Sequence, residues 1–234
     1  MTFNSEYFFE LISNQTLTKP DIVQLRPYAL SCLTRTPRLP RAINFIELLK
    51  QPWVNRCKIS FDTIPKRFEQ LITCSWRDLQ QQMPTEEFEI VKANSPRYID
   101  IPGEPEVDNW YYTSNASLVH SQCYIDYVVE STTDMEFISE KAWKPMFSGQ
   151  LFVILGPVGI INYLNSVGID TFNDIIDHSY DQEPDVRKKI TMIIQTLDDL
   201  MSQDLDQLWN LTYNRRLKNL ELMYSPEFRN LIKQ

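Results

Sequence analysis

Ser139-Glu140-Lys141 sets a hydroxyl, a carboxylate and an ammonium on consecutive residues, ahead of Trp143 and an apolar run, Leu151-Phe-Val-Ile-Leu155, that closes on Gly156-Pro157. This pattern predicts a helix start followed by a buried strand. The turn before a helix presents backbone N–H groups and the positive end of the helix dipole, both suited to a phosphate. There, Glu140 accepts hydrogen bonds from a ribose diol and Lys141 neutralises a diphosphate. An exposed charge pair on a first helical turn is the structural alternative, since helical charge preferences place the same residues there. Arg35, Arg38 and Arg41 lie in a basic, proline-broken segment, Thr34-Arg-Thr-Pro-Arg-Leu-Pro-Arg41. Beside the carboxyl end of a strand, three guanidinium groups form a diphosphate clamp with bidentate geometry; otherwise they are a solvated loop. Glu130 closes the run Tyr127-Val-Val-Glu130. It either approaches the sugar of such a ligand or serves as a strand-end carboxylate.

Other chemistries find less support. Asp204-Leu-Asp206 matches an Asp-x-Asp metal pattern, but a divalent ion beside a diphosphate needs that pattern on a loop at a strand end. Here it falls in an amphipathic helical stretch and reads as a solvated face. Neither G-x-G-x-x-G nor G-x-x-x-x-G-K-[ST] occurs, so the dinucleotide and P-loop readings lack their defining turn. With only His120 and His178, a histidine-rich metal site is disfavoured and a Ser/His/Asp triad has few candidates. Cys32, Cys57, Cys74 and Cys123 show no CxxC spacing and are expected to be reduced and mostly buried.

The elements that must position these residues alternate. A strand over 28–33 leads through the basic loop to a helix over 42–50; 58–61 reads as a second strand and 68–82 as a second helix. Cys123 to Val129 alternates as a strand. The Ser139 helix, the strand 151–155 and a helix from about Pro157 to Ser166 follow. From Pro184 a long helix carries Val186, Ile190, Ile193, Ile194, Leu197 and Leu200 on one face. Strand–helix alternation predicts a doubly wound parallel sheet, which binds ligands beyond the carboxyl ends of its strands. The expected organisation is a docking segment over 1–27, a Rossmann-like domain over 28–182 and a helical C-terminal extension over 183–234. Within the domain, 83–110 is a surface excursion or connection, rich in Pro, Asp and Glu and poor in periodicity.

At 234 residues with 43% hydrophobic content the chain can fill a substantial core. A net charge of -8 argues against generic nucleic-acid binding, which demands clustered Lys and Arg. No apolar run is long enough to span a bilayer and no secretory signal is evident, so a cytoplasmic protein without membrane contact is expected.

The Ser139-Glu140-Lys141 element, its following aromatic residue and the strand ending in Gly-Pro resemble the nucleotide-binding signature of the C-terminal domain of the α1,3-fucosyltransferase family. Tyr127–Glu130 is similar to the acidic strand end that precedes that signature. The block from Tyr28 through Arg41 and the helix after it is similar to the family's strand, loop, arginine and helix, with Arg41 at the arginine position. Thr34 stands where the family has Ser or Asn, and Pro40 is a further departure. Similar blocks occur in transferase-like proteins of phages and large viruses. The resemblance implies half of a GT-B fold, holding a nucleotide-diphosphate sugar as donor substrate, with no cofactor and no metal. Arg35, Arg38, Arg41, Glu130, Ser139, Glu140 and Lys141 would form its site. It also implies an acceptor-binding domain for which residues before 28 leave little room, a partner chain that supplies one, or a non-catalytic interaction or structural subunit, for instance in a virion. No general base is assigned.

Overall fold

A computed structural model describes residues 21–34, 37–61, 76–96, 119–135 and 137–228. Four short strands build its sheet: β1 (Tyr28–Leu33), β2 (Cys57–Ser60), β3 (Cys123–Val129) and β4 (Leu151–Leu155). All pair in parallel, in the order β2-β1-β3-β4. Leu30 stands opposite Cys57 on one side and Ile125 on the other, and Val129 stands opposite Leu155. Every residue of β3 and β4 is buried, which is why β4 reads as a continuous apolar run, whereas β3, expected to alternate, is buried on both faces with Asp126 among its buried residues.

Around the sheet lie α1 (Leu39–Leu49), α2 (Trp76–Gln82), α3 (Thr85–Ala93), α4 (Glu140–Phe147), α5 (Ile160–Ser166), α6 (Val186–Met201), α7 (Leu205–Leu211) and α8 (Tyr213–Tyr224). Helix α1 packs on α3 and α6, and α6 also meets β4, whereas α4 packs on β3, β4 and α8. The architecture is a Rossmann-like α/β fold. Its C-terminal helices form a helical extension that shares the core, since Ile190, Ile193, Leu197, Trp209 and Met223 belong to the same cluster as the strands. Full burial of one such side chain stabilises by roughly 1.5–3 kcal/mol. Asp185 caps α6, its carboxylate accepting from the Lys188 N–H.

Two boundaries differ from expectation. Helix α1 begins at Leu39 rather than 42, because Pro40 falls in its first turn, where a missing N–H costs nothing. Arg41 therefore sits in a helix and not in the basic loop. Within 83–110, residues 85–93 form α3 instead of an irregular excursion. Glu86 and Glu87 in its first turn and Lys92 in its last complement the dipole, and Phe88 and Val91 are buried one turn apart. Residues 1–20 of the expected docking segment, the first part of the helix expected over 68–82 and Cys74 lie outside the described residues.

Candidate functional site

The strand order reverses direction between β1 and β3: the chain moves outward from β1 to β2, then returns to the other side of β1. At such a switch point the crossover helices diverge and leave a crevice beyond the carboxyl ends of the two strands. Thr34 follows β1 there, tied to the neighbouring strand by its N–H and hydroxyl, both of which donate to the Ser60 carbonyl. Glu130 and Ser131 follow β3.

The arginines after β1 reach across this crevice. Arg38, the residue preceding α1, donates from one guanidinium nitrogen to the Ser131 carbonyl. Arg41, buried to 3% exposure, donates to Ser131 Oγ at 3.2 Å. Both converge on one residue some ninety positions away, at the end of the adjacent strand. Next to them opens a cleft of about 190 Å³, lined by Pro37–Pro40, by Asp78, Leu79 and Gln82 of α2, and by the Ser131–Asp134 turn.

Glu130 is a strand-end carboxylate with internal partners. It is 1% exposed and accepts from the Ser131 N–H at 3.2 Å, the Ser139 N–H at 3.0 Å and Ser139 Oγ at 2.5 Å. Ser139 in turn caps α4, accepting from the Lys141 N–H at 3.3 Å, and its carbonyl accepts from the Ala142 N–H. The start of α4 thus already faces a carboxylate of the protein itself, placed where the helix dipole favours negative charge. The expected run of N–H groups presented to a phosphate is not what this turn shows. Lys141 Nζ lies 3.5 Å from Ser139 Oγ. Gly156 lets the end of β4 approach closely: an added Cβ would stand 3.4 Å from Glu130 Cγ and 3.1 Å from Ile160 Cδ1.

Arg38, Arg41, Glu130 and Ser139 are therefore linked through Ser131 into one chain of contacts at the switch point. Ser139 and Lys141 do not line the cleft itself. Arg35 and the side chain of Glu140 lie outside the described residues. Ser131 escaped the sequence reading. Its signal is a polar turn cluster, Ser131-Thr-Thr-Asp134, directly after a buried strand.

Other chemistry-bearing groups among the described residues have partners within the fold. Asp204 caps α7 by accepting from the Gln207 N–H, and Asp206 accepts from the Tyr124 hydroxyl. Among the described residues no group of three or more His, Cys, Asp or Glu side chains could hold a metal ion. Asp126 of β3 accepts from Ser31 Oγ at 3.0 Å and stands 2.9 Å from His120 Nδ1. The serine meets the aspartate and not the imidazole, in a buried position, so this set is no nucleophilic triad. His178 Nε2–H donates to the Thr171 carbonyl, leaving Nδ1 to accept from the Tyr180 hydroxyl. Cys32, Cys57 and Cys123 are buried and form no disulfide among the described residues, and burial pushes the Cys123 thiol up to about 12, which leaves it unreactive. Trp143 is fully buried and packs edge-on against Phe228.

No known protein family, curated protein or solved structure matches this chain.

Proposed function

We propose that this is a glycosyltransferase-like protein that binds a nucleotide-diphosphate sugar at the carboxyl ends of β1 and β3 and transfers the sugar to an acceptor without a metal. The supporting observation is the convergence of Arg38 and Arg41 on Ser131 beside an open cleft at the switch point of a parallel sheet. Two guanidinium groups held by a helix start and a strand end match the geometry of a diphosphate. In the transfer, an acceptor hydroxyl oxygen forms a bond to the anomeric carbon. The bond from that carbon to the diphosphate breaks, and its electron pair departs with the phosphate. Arg38 and Arg41 stabilise the charge that develops on the leaving group, and the acceptor proton passes to a general base. Glu130 acts as a positioning residue, holding Ser139 and the start of α4.

One observation favours a second reading, a non-catalytic interaction or structural subunit built on the same fold. Groups expected to meet phosphate at α4 are met by Glu130 and Ser139 of the protein itself. Calorimetry with GDP- and UDP-sugars separates the two. Submillimolar binding that is abolished in Arg41→Ala supports the transferase reading; no binding to any nucleotide sugar overturns it in favour of the second.

A further inference from the structure

Each polar atom of Ser131 has a partner, and one hydrogen is left over. The Ser131 N–H donates to Glu130 Oε2 at 3.2 Å, its carbonyl accepts from the Arg38 guanidinium, and its Oγ accepts from Arg41 Nη2 at 3.2 Å. A hydroxyl carries one hydrogen to donate and two lone pairs to accept with. Arg41 takes a lone pair, so the hydrogen must find another acceptor, and none stands among the described residues. The two hydroxyls that follow serve the turn itself: Thr133 donates to Asp134 Oδ1 at 2.8 Å, and Thr132 Oγ1 accepts from the Asp134 N–H at 3.3 Å. Ser131 is also among the residues that line the cleft.

A hydroxyl that accepts from a cation becomes a stronger donor, because each hydrogen bond in a chain polarises the next. Arg41 is 3% exposed, so its charge reaches the cleft in part through the residue it bonds. From this arrangement we infer that Ser131 is a third phosphate-binding residue of the site, its hydroxyl donating to a phosphate oxygen of the nucleotide diphosphate while Arg41 polarises it. The inference rests on the reading of the cleft as a nucleotide-sugar site. Glu130 and Arg38 fix the backbone of Ser131 on both sides of its Cα, so the hydroxyl is ordered before the ligand arrives and little freedom is lost on binding. The phosphate then meets three donors of two kinds, a pair of guanidinium groups and a neutral hydroxyl held between them by its bonds to both.

Calorimetry with GDP and UDP, followed by phosphorus NMR of the tighter binder, tests this on the wild type, Ser131→Ala, Ser131→Thr, Arg41→Met and the double variant Ser131→Ala/Arg41→Met. Thermal melting first establishes that each variant is folded. Ser131→Ala should weaken the diphosphate about fivefold, the scale of one lost hydrogen bond to a charged partner, and should shift a phosphorus resonance of the bound nucleotide. Ser131→Thr keeps the hydroxyl and should recover both the affinity and the resonance. With Arg41 already replaced, removing the hydroxyl should cost about twofold at most, since the two groups act as one unit. If the nucleotide binds and Ser131→Ala binds it as tightly as the wild type, or Ser131→Thr is as weak as Ser131→Ala, the hydroxyl is no ligand and the inference fails while the site stands. An equal loss with and without Arg41 overturns the polarisation by Arg41. If neither nucleotide binds the wild type, the site reading fails and this inference with it.

Discussion

At the amino ends of the strands, Arg26 and Arg216 both lie over the Trp209 ring, at 4.9 and 3.2 Å from its centroid. At the carboxyl ends, Arg38 and Arg41 meet Ser131 beside a cleft. Arg216 is fully buried, and no carboxylate among the described residues forms an ion pair with it. Its guanidinium donates to the carbonyls of Ile22 at 3.2 Å, Gly149 at 2.9 Å and Trp209 at 2.7 Å, and to Thr212 Oγ1 at 3.2 Å. Burial, with Arg26 nearby, pushes its pKa down to about 9, so it keeps its charge at neutral pH. Around it, the Arg26 N–H donates to the Tyr124 hydroxyl, and Gln150 Nε2 donates to the carbonyls of His120 and Cys123. Every strand except β2 is thereby tied at its amino end to the C-terminal helices or to a neighbouring turn. At the amino end arginine locks several segments of backbone together, whereas at the carboxyl end Arg38 and Arg41 meet a single residue, Ser131, beside a cleft. The same residue type bridges several core carbonyls at one end and a single strand-end residue next to a cleft at the other.

The largest expected effect tests the locked end. Arg216→Met removes four hydrogen bonds and leaves buried carbonyls unmet, and should cost about 3 kcal/mol or more in urea unfolding. A loss below about 1 kcal/mol would mean that the amino end does not carry this stability. Arg41→Met should do the reverse. Nucleotide-sugar affinity should fall at least about tenfold, because a charge-assisted contact is lost, while unfolding changes by only about 1 kcal/mol. Equal losses of stability in the two variants would erase the contrast between the ends. Glu130→Gln sharpens it from within the carboxyl end. An amide cannot accept from all three donors now facing the carboxylate, so stability should drop about 1–3 kcal/mol, read by thermal melting. Wild-type stability in Glu130→Gln would show that the start of α4 needs no internal anion.

The smallest effect concerns pH. Burial lowers the His178 pKa below its ordinary 6.5. Below pH 6.5 the unfolded chain therefore binds a proton at this imidazole that the folded chain does not, and stability falls as pH drops. Asp181 has the opposite sign, since burial raises its carboxyl and protonation there relieves a buried charge. Asp170 and Asp174, held low by their hydrogen bonds to Arg215, titrate at more acid pH. Between pH 7.5 and 5 the melting midpoint should decline, and His178→Gln should flatten the decline. An unchanged slope in that variant would assign the decline to other groups.

What was legible in the sequence follows the locality of its causes. Cys123–Val129 and Leu151–Leu155 announce themselves because every residue of each strand is buried. Val186–Met201 is readable because its apolar stripe repeats at helical spacing. Helix α3 was missed because only Phe88 and Val91 are buried and its acidic first turn resembles a solvated loop. The start of α1 was misplaced because Pro40 reads as a breaker unless the helix is known to begin one residue earlier. At the site, Arg38 and Arg41 could be nominated from residue type, but their partner could not, since Ser131 is brought to them only by strand pairing. Glu130 likewise has an ordinary local sequence, and its burial against Ser139 is a product of the β3-to-α4 crossover. Little in the local sequence marks Arg216 as a buried cation, because two of its partners, Ile22 and Gly149, come from distant segments and only Trp209 and Thr212 are close in sequence.

Central to this account is the assignment of the diphosphate to the crevice between α1 and the end of β3. A crystal structure with the GDP- or UDP-sugar that calorimetry shows to bind most tightly tests it most directly. The account predicts phosphate oxygens within hydrogen-bonding distance of the Arg38 and Arg41 guanidinium groups, with Ser131 Oγ adjacent. Phosphates bound anywhere else, at the amino ends of the strands or away from both arginines, would contradict it.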